Sequence, residues 1–293
     1  MEGVINVYKE AGWSSGDVVN KLKGVLHERR IGHGGTLDPM AEGVLPICTG
    51  RATRLFDYIT AFHKTYVARI VFGKTTDTQD ATGTVLEEKP VNITLSDIEK
   101  ILPEFTGVIK QIPPMYSALH VNGQRLYDLA RRGETVVLEP REIEIESISV
   151  ISPLENNECE IRVTCGKGTY IRTLCHDIGQ RLGCGAHMKT LLRESAAGLD
   201  IKDSYTISQL DLMMKANDLS FLCPTDTAIG FMPEINVLSS SKKRLDNGNP
   251  VPVKEADKDI DGFVRVYCDG IFYGIGLKKD NFYFLKCLLG GTK

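Results

Sequence analysis

The stretch Cys159-Glu160-Ile161-Arg162-Val163-Thr164-Cys165 alternates apolar with polar side chains along its whole length. Strict alternation of this kind is typical of a β-strand that is buried on one face only. A second strong strand is predicted over Thr65–Phe72. Because few helical segments separate the strand segments, the pattern favours an α+β fold, with a mixed, largely antiparallel sheet flanked by helices, over a doubly wound fold.

An irregularity is expected in the strand that precedes this stretch. Residues Glu142–Val150 also alternate, but the apolar phase slips between Ile145 and Ile148. An extra residue in one strand produces such a slip, so we predict a β-bulge at this point.

Capping residues and helically spaced apolar residues predict the main helices. Ser14 and Ser15 are N-cap candidates for a first helix. The pair Ser96 and Glu99 has the spacing of a capping box and predicts a second helix. A third helix begins near Ile171 and is expected to stop at Gly183.

Length and composition suggest two domains. The chain has 293 residues, which is long for a single domain. A boundary is expected near residue 232, because a helical stretch gives way there to a tail rich in glycine and β-forming residues. This division gives a main domain over 1–232 and a small β-rich domain over 233–293. In the tail, Asp269-Gly270 is a signal for a hairpin turn between short strands.

The sequence has the composition of an ordinary globular protein, with 42% hydrophobic and 25% charged residues. No apolar run is long enough to span a membrane. Met1–Asn6 lacks the basic and apolar regions of a secretory signal. We therefore expect a cytoplasmic protein.

The eight cysteines include no Cys-x-x-Cys pair, so we expect free thiols. One cluster, Cys175-His176 with Cys184 and His187, contains residue types that can bind zinc. Structural zinc sites usually present tighter paired spacings. We therefore expect no metal site.

The charges are unevenly distributed along the chain, although the formal net charge is only −3. Residues 142–160 contain six glutamates and no lysine or arginine, whereas residues 162–193 contain six basic residues against Asp177 alone. Phosphate binding needs local positive potential rather than a high overall pI. A solvated charge pattern explains the same distribution equally well. The basic residues considered for RNA contact are Arg125, Arg131, Arg132, Lys189 and Arg193.

Candidate chemistry lies in an irregular loop, Ile31-Gly32-His33-Gly34-Gly35-Thr36-Leu37-Asp38-Pro39. Its glycines lower helix and strand propensity, and Pro39 keeps Asp38 out of the right-handed helical region. An isolated Asp-Pro pair usually marks only a turn. The chain has no phosphate-binding G-x-x-x-x-G-K-[ST] or G-x-G-x-x-G motif and no nucleophile elbow, which argues against an enzyme with a nucleotide cofactor.

The loop Gly32–Pro39 closely resembles the catalytic signature of the TruB-type tRNA pseudouridine synthases. The tail resembles a PUA-type RNA-binding domain, and a segment at about 113–140 resembles the mobile RNA-contacting insertion of the family. Other segments resemble further family elements in the same order along the chain: Lys9 with Gly12–Ser15, Lys64–Tyr66, Thr76–Gly83, Pro113–Ala118, Asn122-Gly123 with residues up to Arg131, and Gly168–Leu174.

The resemblance implies roles for individual residues. Asp38 is the catalytic carboxylate, acting as a nucleophile or as the base of a glycal route. Tyr66 stacks on the extruded uracil, Arg172 pairs with Asp38 and favours its ionised form, and Tyr170 lines the pocket. The other residues implied in substrate binding are His33, Lys9, Lys64 and Asp80, of which Asp80 is expected to organise the loop near Arg172.

The implied reaction converts uridine 55 in the T-arm loop of tRNA to pseudouridine, by base flipping followed by cleavage and re-formation of the glycosidic bond. It needs no cofactor and no metal. The chain is expected to act as a monomer, away from membranes and without a guide RNA. Two alternatives stay open: a guide-RNA-dependent relative with the same fold, and a non-catalytic RNA-binding protein or tRNA chaperone in which Asp38 is vestigial.

Overall fold

The computed structural model describes residues 1–117, 119–121, 123–134 and 136–290. For six residues of the insertion it describes the backbone only: His120, Val121, Arg125, Tyr127, Asp128 and Arg131.

Strands and α-helices are distributed along the whole of the described chain. The strands are β1 (Gly3–Lys9), β2 (Ile31–His33), β3 (Glu42–Thr49), β4 (Lys64–Phe72), β5 (Lys74–Thr76), β6 (Val85–Glu88), β7 (Gly107–Gln111), β8 (His120–Val121), β9 (Gln124–Arg125), β10 (Arg141–Val150), β11 (Glu158–Cys165), β12 (Ala186–Ala196), β13 (Leu199–Asp200), β14 (Leu222–Cys223), β15 (Glu234–Val237), β16 (Val251–Pro252), β17 (Phe263–Cys268), β18 (Ile271–Lys279) and β19 (Phe282–Leu288). The α-helices are α1 (Ser15–Val25), α2 (Phe56–Thr60), α3 (Leu95–Ile101), α4 (Leu126–Arg131), α5 (Ile171–Arg181), α6 (Ile207–Lys215) and α7 (Lys242–Asp246).

The main sheet has the order β14-β1-β3-β12-β4-β11-β10-β7, with β2 paired to β3 and β13 paired to β12. The pairs β4–β11, β10–β11, β7–β10 and β2–β3 are antiparallel, whereas β3 and β12 run parallel. The predicted α+β fold with a mixed, largely antiparallel sheet is therefore confirmed. The register between β10 and β11 shifts between Ile145 and Ser147, so the predicted β-bulge is also present.

The helix starts show one correct prediction and one error. Ser14 is the N-cap of α1 and forms a capping box with Asp17. The predicted capping box of Ser96 with Glu99 is wrong, because Thr94 caps α3 and its partner is Asp97. An N-cap residue needs an extended backbone, and Thr94 has φ −110° and ψ 165°, whereas Ser96 lies inside the first turn.

Two compact units divide the chain. The first contains Met1–Pro39, Val44–Thr60 and the residues from Ala196 onward; the second contains Met40–Gly43 and Ala61–Ser195. None of the helices in the described part of the chain is long and apolar enough to cross a membrane.

The β-rich tail belongs to the first unit. It has its own sheet in the order β15-β17-β18-β19-β16, and the predicted turn at Asp269-Gly270 joins β17 to β18 with positive φ at both residues. Ile275 and Cys287 of the tail lie in one buried apolar cluster with Val4 and Leu55 of the N-terminal part. The domain boundary near residue 232 stays a prediction.

Candidate active site

The signature loop begins as a strand rather than as irregular chain. Ile31, Gly32 and His33 pair with Thr49, Cys48 and Ile47 of β3, and the Gly34 amide donates to the Pro46 carbonyl at 2.7 Å. Only the part after His33 is irregular. The expectation of a loop over all of 31–39 is therefore wrong at its first three residues, because backbone pairing with β3 outweighs the low strand propensity of glycine.

Two glycines of the loop are required by their close packing on α2. A Cβ on Gly32 would lie 2.5 Å from the Phe56 ring, and one on Gly34 would lie 2.7 Å from Ile59 Cγ2. Neither distance is tolerated between carbon atoms. The glycines thus allow His33 and the following residues to run directly over this short helix.

Backbone contacts fix the end of the loop around Asp38. Lys9 is fully buried at the end of β1, and its Nζ donates to the carbonyl oxygens of Pro39 at 3.2 Å and Glu10 at 3.1 Å. The Gly12 amide donates to the same Pro39 carbonyl at 2.8 Å. Asp38 is half-buried, next to the buried Leu37. The end of β1 and the residues that follow it therefore hold Pro39, on the C-terminal side of Asp38.

In the second unit, Arg172 and Asp80 form a buried ion pair. Arg172 is the second residue of α5, and its Nη1 lies 3.5 Å from Asp80 Oδ2. Asp80 Oδ1 accepts hydrogen bonds from the hydroxyl groups of Thr78 at 2.8 Å and Thr82 at 2.6 Å. The predicted pairing of Arg172 with Asp38 stays a prediction, because these two residues belong to different compact units.

Tyr170 is held through its backbone by a residue that the sequence did not indicate. The Gln111 side chain is buried at the end of β7, where it donates to the Tyr170 carbonyl at 3.1 Å and accepts from the Tyr170 amide at 2.9 Å. No sequence signal marks Gln111, since its role depends on β7 reaching the start of α5.

Tyr66 and Lys64 lie on β4 opposite Val163 and Cys165 of β11, and both side chains are buried. Lys64 Nζ donates to the Phe62 carbonyl at 2.8 Å. Burial, and after it the positive charge of Arg193, lower the pKa of the Lys64 ammonium from 10.5 to about 8. Lys64 is therefore a buried cation that loses its proton at a lower pH than an exposed lysine does.

Arg193, another candidate for RNA contact, lies inside the main sheet. It is fully buried on β12, an interior strand of the sheet, with its Cα opposite Gly43. A side chain on Gly43 would collide with the Arg193 carbonyl oxygen, so the two backbones approach closely here. Its charge is therefore enclosed by the sheet, and a contact of Arg193 with RNA stays a prediction.

The other basic candidates lie in ion pairs or outside the described side chains. Lys189 Nζ lies 2.6 Å from Glu158, and Arg132 Nε lies 2.7 Å from Glu134. Arg162 similarly pairs with Glu194 at 2.9 Å. The side chains of Arg125 and Arg131 fall outside the described residues. The order of the strands in the sheet thus places Lys189 near Glu158 and Arg162 near Glu194, so that a glutamate partly neutralises each of these two basic side chains.

In the cysteine and histidine cluster, Cys175, Cys184 and His187 are buried and His176 is half-buried. Burial raises the pKa of the Cys175 thiol, and His187 Nδ1 lies 3.0 Å from the Lys74 carbonyl oxygen. In the residues that the structure describes, no group of three or more His, Cys, Asp or Glu side chains is arranged to hold a metal ion.

The chain matches models of known protein families along most of its length. Residues 23–171 match the family model for the N-terminal domain of TruB family pseudouridylate synthases, residues 172–229 match that for the C-terminal domain of tRNA pseudouridylate synthase B, and residues 233–281 match that for the C-terminal region of pseudouridine synthase II TruB.

Curated relatives and solved structures point the same way. The chain is 43% identical over 285 residues to tRNA pseudouridine synthase B of Clostridium kluyveri, covering 96% of each chain, and 45% identical over 267 residues to that of Staphylococcus aureus strain MRSA252, covering 88% of each. A crystal structure of a Cbf5-Nop10-Gar1 complex contains a chain with TM-score 0.77 and 24% identity over 99% of this chain and 85% of that one, which shows the fold. The chain therefore belongs to the TruB family of pseudouridine synthases.

Proposed function

We propose that this enzyme converts uridine 55 in the T-arm loop of tRNA to pseudouridine, with Asp38 as its catalytic carboxylate. Membership of the TruB family and relatives named tRNA pseudouridine synthase B support the reaction and the substrate. The observation that carries the assignment of Asp38 is the anchoring of its loop, because the buried Lys9 side chain and the Gly12 amide both donate to the Pro39 carbonyl. A carboxylate that acts on a ribose carbon must be held in position in this way.

The reaction rearranges bonds within one nucleotide. The bond from N1 of uracil to C1′ of the ribose breaks, a bond from C5 to C1′ forms, the hydrogen on C5 leaves as a proton, and N1 gains a proton. Asp38 acts either by attack on C1′ or by removal of a ribose proton to give a glycal. Atoms and electrons balance in both routes without an external oxidant or a cofactor.

Access to the uridine requires base flipping, because a folded loop hides the glycosidic bond. Flipping costs a few kcal/mol, and stacking on an aromatic ring returns roughly 1–3 kcal/mol. Tyr66 is the residue proposed to stack on the flipped uracil, and Tyr170 is proposed to line the same pocket. His33 and Lys64 are proposed to contact the extruded nucleotide.

Arg172 is proposed to favour the ionised form of Asp38, since an adjacent guanidinium stabilises a carboxylate. The buried Asp80 supports this role, because its contact with Arg172 at 3.5 Å limits where the guanidinium can lie. Lys9 donates to backbone carbonyl oxygens of Glu10 and Pro39, and it is proposed to support substrate binding by holding the loop.

The chain is proposed to act as a monomer without a guide RNA. The likeness to the Cbf5 chain, at 24% identity, concerns the fold alone and does not favour a guide-dependent activity. Purified protein incubated with an unmodified tRNA transcript should form pseudouridine at position 55. If product formed only after guide RNA was added, the self-sufficient activity would be excluded.

The decisive variant is Asp38→Asn, which keeps the size of the side chain and removes its negative charge. Pseudouridine formation should become undetectable, while the dissociation constant for tRNA should stay within about threefold of the original, because Asp38 is proposed to act in the chemical step. A transcript with cytidine at position 55 serves as the matched substrate control. Turnover by Asp38→Asn near the original rate would disprove the catalytic assignment, and binding without turnover by the unsubstituted chain would support the chaperone alternative.

A further inference from the structure

Ser15 forms a double hydrogen bond with the residue that precedes Asp38. The Ser15 hydroxyl accepts from the Leu37 amide at 2.9 Å and donates to the Leu37 carbonyl oxygen at 3.1 Å. Ser15 is 2% exposed and Leu37 is 3% exposed, so water does not compete for these groups. One hydroxyl therefore satisfies both backbone polar groups of Leu37.

The start of α1 holds Ser15 rigidly. Ser14, not Ser15, is the N-cap of α1, and the Asp17 carboxylate accepts from the Ser14 amide at 3.0 Å and from its hydroxyl at 2.6 Å. The Ser14 hydroxyl in turn accepts from the Asp17 amide at 3.1 Å. Because the neighbouring serine performs the capping, the Ser15 hydroxyl is available to bind the loop.

Hydrogen bonds hold the chain on both sides of Asp38. Ser15 holds Leu37 on the N-terminal side of Asp38, while Lys9 and the Gly12 amide hold the Pro39 carbonyl on the other side. The Leu37 carbonyl lies in the peptide unit directly before Asp38, and the Pro39 carbonyl lies in the second peptide unit after it. Because the proline ring also fixes the φ angle of Pro39, holding these two groups restricts the φ and ψ angles of Asp38, and hence the direction of its side chain.

We propose that Ser15 is a positioning residue for the reaction, which fixes the Asp38 backbone through Leu37 and thereby aims the carboxylate at the ribose. The inference rests on the proposed function, because it takes Asp38 to be the catalytic group. Ser15 itself touches neither the substrate nor the reacting atoms. Loss of its hydroxyl leaves the carboxylate chemically intact but less well aimed, and a misplacement of about 1 Å costs on the order of 100-fold in rate.

Ser15→Ala and Ser14→Ala form a matched pair of variants one residue apart. Ser14→Ala removes the helix cap and leaves the Leu37 hydrogen bonds, whereas Ser15→Ala removes the Leu37 hydrogen bonds and leaves the cap. The readouts are the melting temperature, the tRNA dissociation constant and the single-turnover rate constant at saturating enzyme. The rate constant is measured well below the lower melting temperature, so that a purely structural effect does not change it.

The expected result is a single-turnover rate constant about 10- to 100-fold lower for Ser15→Ala and within about twofold of the original for Ser14→Ala, with tRNA affinity retained in both. Ser15→Thr, which restores a hydroxyl, should recover most of the activity. If Ser15→Ala does not fold, Ser15→Cys replaces it, because sulfur fills the space and hydrogen-bonds weakly. A rate for Ser15→Ala or Ser15→Cys within twofold of Ser14→Ala would overturn the positioning role.

The variant Asp38→Asn, measured in parallel, separates the two hypotheses. If Asp38→Asn is inactive and Ser15→Ala is as fast as Ser14→Ala, only the positioning role fails. If Asp38→Asn is active, the proposed function fails at Asp38, and any slow reaction of Ser15→Ala then has another cause.

Discussion

Asp80 accepts hydrogen bonds from two threonine hydroxyl groups through Oδ1 and contacts Arg172 through Oδ2. Because the two carboxylate oxygens have different partners, the charge of Asp80 can be tested separately from its hydrogen bonds to the threonines. In Asp80→Asn, Oδ1 can still accept from Thr78 and Thr82, but the guanidinium of Arg172 loses its buried counter-charge.

We expect Asp80→Asn to lower the free energy of unfolding by about 3 kcal/mol, because one partner of a buried pair is left uncompensated. The single-turnover rate constant should fall by roughly 10- to 100-fold as Arg172 shifts. Urea unfolding and single-turnover assays measure the two effects. Asp97→Asn, in the exposed capping box of α3, is the control and should change the rate by less than about twofold. Equal rates for the two variants would show that Asp80 does not act on the reaction.

Asp177, on α5, is an acidic residue whose protonation should alter stability. Burial raises the pKa of its carboxyl from 3.8 to about 6. Between these values the folded protein binds more protons than the unfolded chain, so the free energy of unfolding falls as pH rises through this window. The stability that protonation of Asp177 contributes is fully present below pH 3.8 and is lost above about pH 6.

Asp177→Asn should therefore be more stable than the original protein at pH 7.5 and equal to it near pH 4. A rise of the pKa from 3.8 to about 6 corresponds to roughly 3 kcal/mol in a fully buried carboxyl, and partial solvation of Asp177 lowers the expected difference to about 1 kcal/mol. Urea unfolding at the two pH values measures the difference, with the exposed residue change Asp211→Asn as the control. A stability gain that is the same at both pH values would rule out titration of Asp177 as the cause.

At the scale of elements, strands β4, β11 and β12 combine charges that the sequence keeps apart. Lys189 of β12 pairs with Glu158 of β11, and Arg162 of β11 pairs with Glu194 of β12. Arg69 of β4 pairs with Glu160 of β11 at 2.7 Å. These three ion pairs partly neutralise the basic side chains of the strands, so the basic residues before Arg193 are a weaker indication of RNA contact than their number suggests.

Salt dependence of tRNA binding distinguishes a neutralised lysine from one that contacts phosphate. Each phosphate bound on looped RNA adds about −0.7 to the slope of log affinity against log salt concentration. We expect Lys189→Ala to leave this slope nearly unchanged, because Glu158 already balances its charge. Lys167→Ala, at an exposed position shortly before Tyr170, should make the slope shallower by about 0.7. An equally large change of slope in Lys189→Ala would show that RNA displaces Glu158.

At the scale of the whole molecule, the tail is part of the first compact unit rather than an appendage. Ile275 and Leu289 of the tail share a buried cluster with Val44 and Ala52. The Arg54 guanidinium also donates to the Leu288 carbonyl at 2.8 Å. These contacts predict that the tail and the N-terminal part of this unit unfold together.

Trp13 is the only tryptophan of the chain and packs on the apolar cluster around α1, so its fluorescence reports on the N-terminal part. Ile275→Ala in the tail should lower the free energy of unfolding by about 2–5 kcal/mol and move the Trp13 transition to lower urea. Val264→Ala, in the tail's own core, should move the same transition. Leu238→Ala, which is exposed, should not. If the Trp13 transition stayed at the same urea concentration in both Ile275→Ala and Val264→Ala, the tail would fold independently.

The sequence alone determined the features that depend on neighbouring residues. Alternation over Cys159–Cys165 identified a strand of the sheet, Ser14 identified the start of α1, and the slip after Ile145 identified the bulge. The signature ending in Asp38 and Pro39 identified the family, because it lies within one short segment. Local backbone geometry and side-chain period are encoded over a few residues, and this is why they could be read without a structure.

Only the tertiary structure decided which distant residues meet. Ser15 contacts Leu37 across 22 positions, and Gln111 contacts Tyr170 across 59 positions. The enclosure of Arg193 and the pairing of Lys189 with Glu158 depend on strand order in the sheet. The sequence shows the same residue type whether a charged side chain faces water, a glutamate or a buried strand. Its electrostatic role is therefore set by the packing of elements that are far apart in the chain.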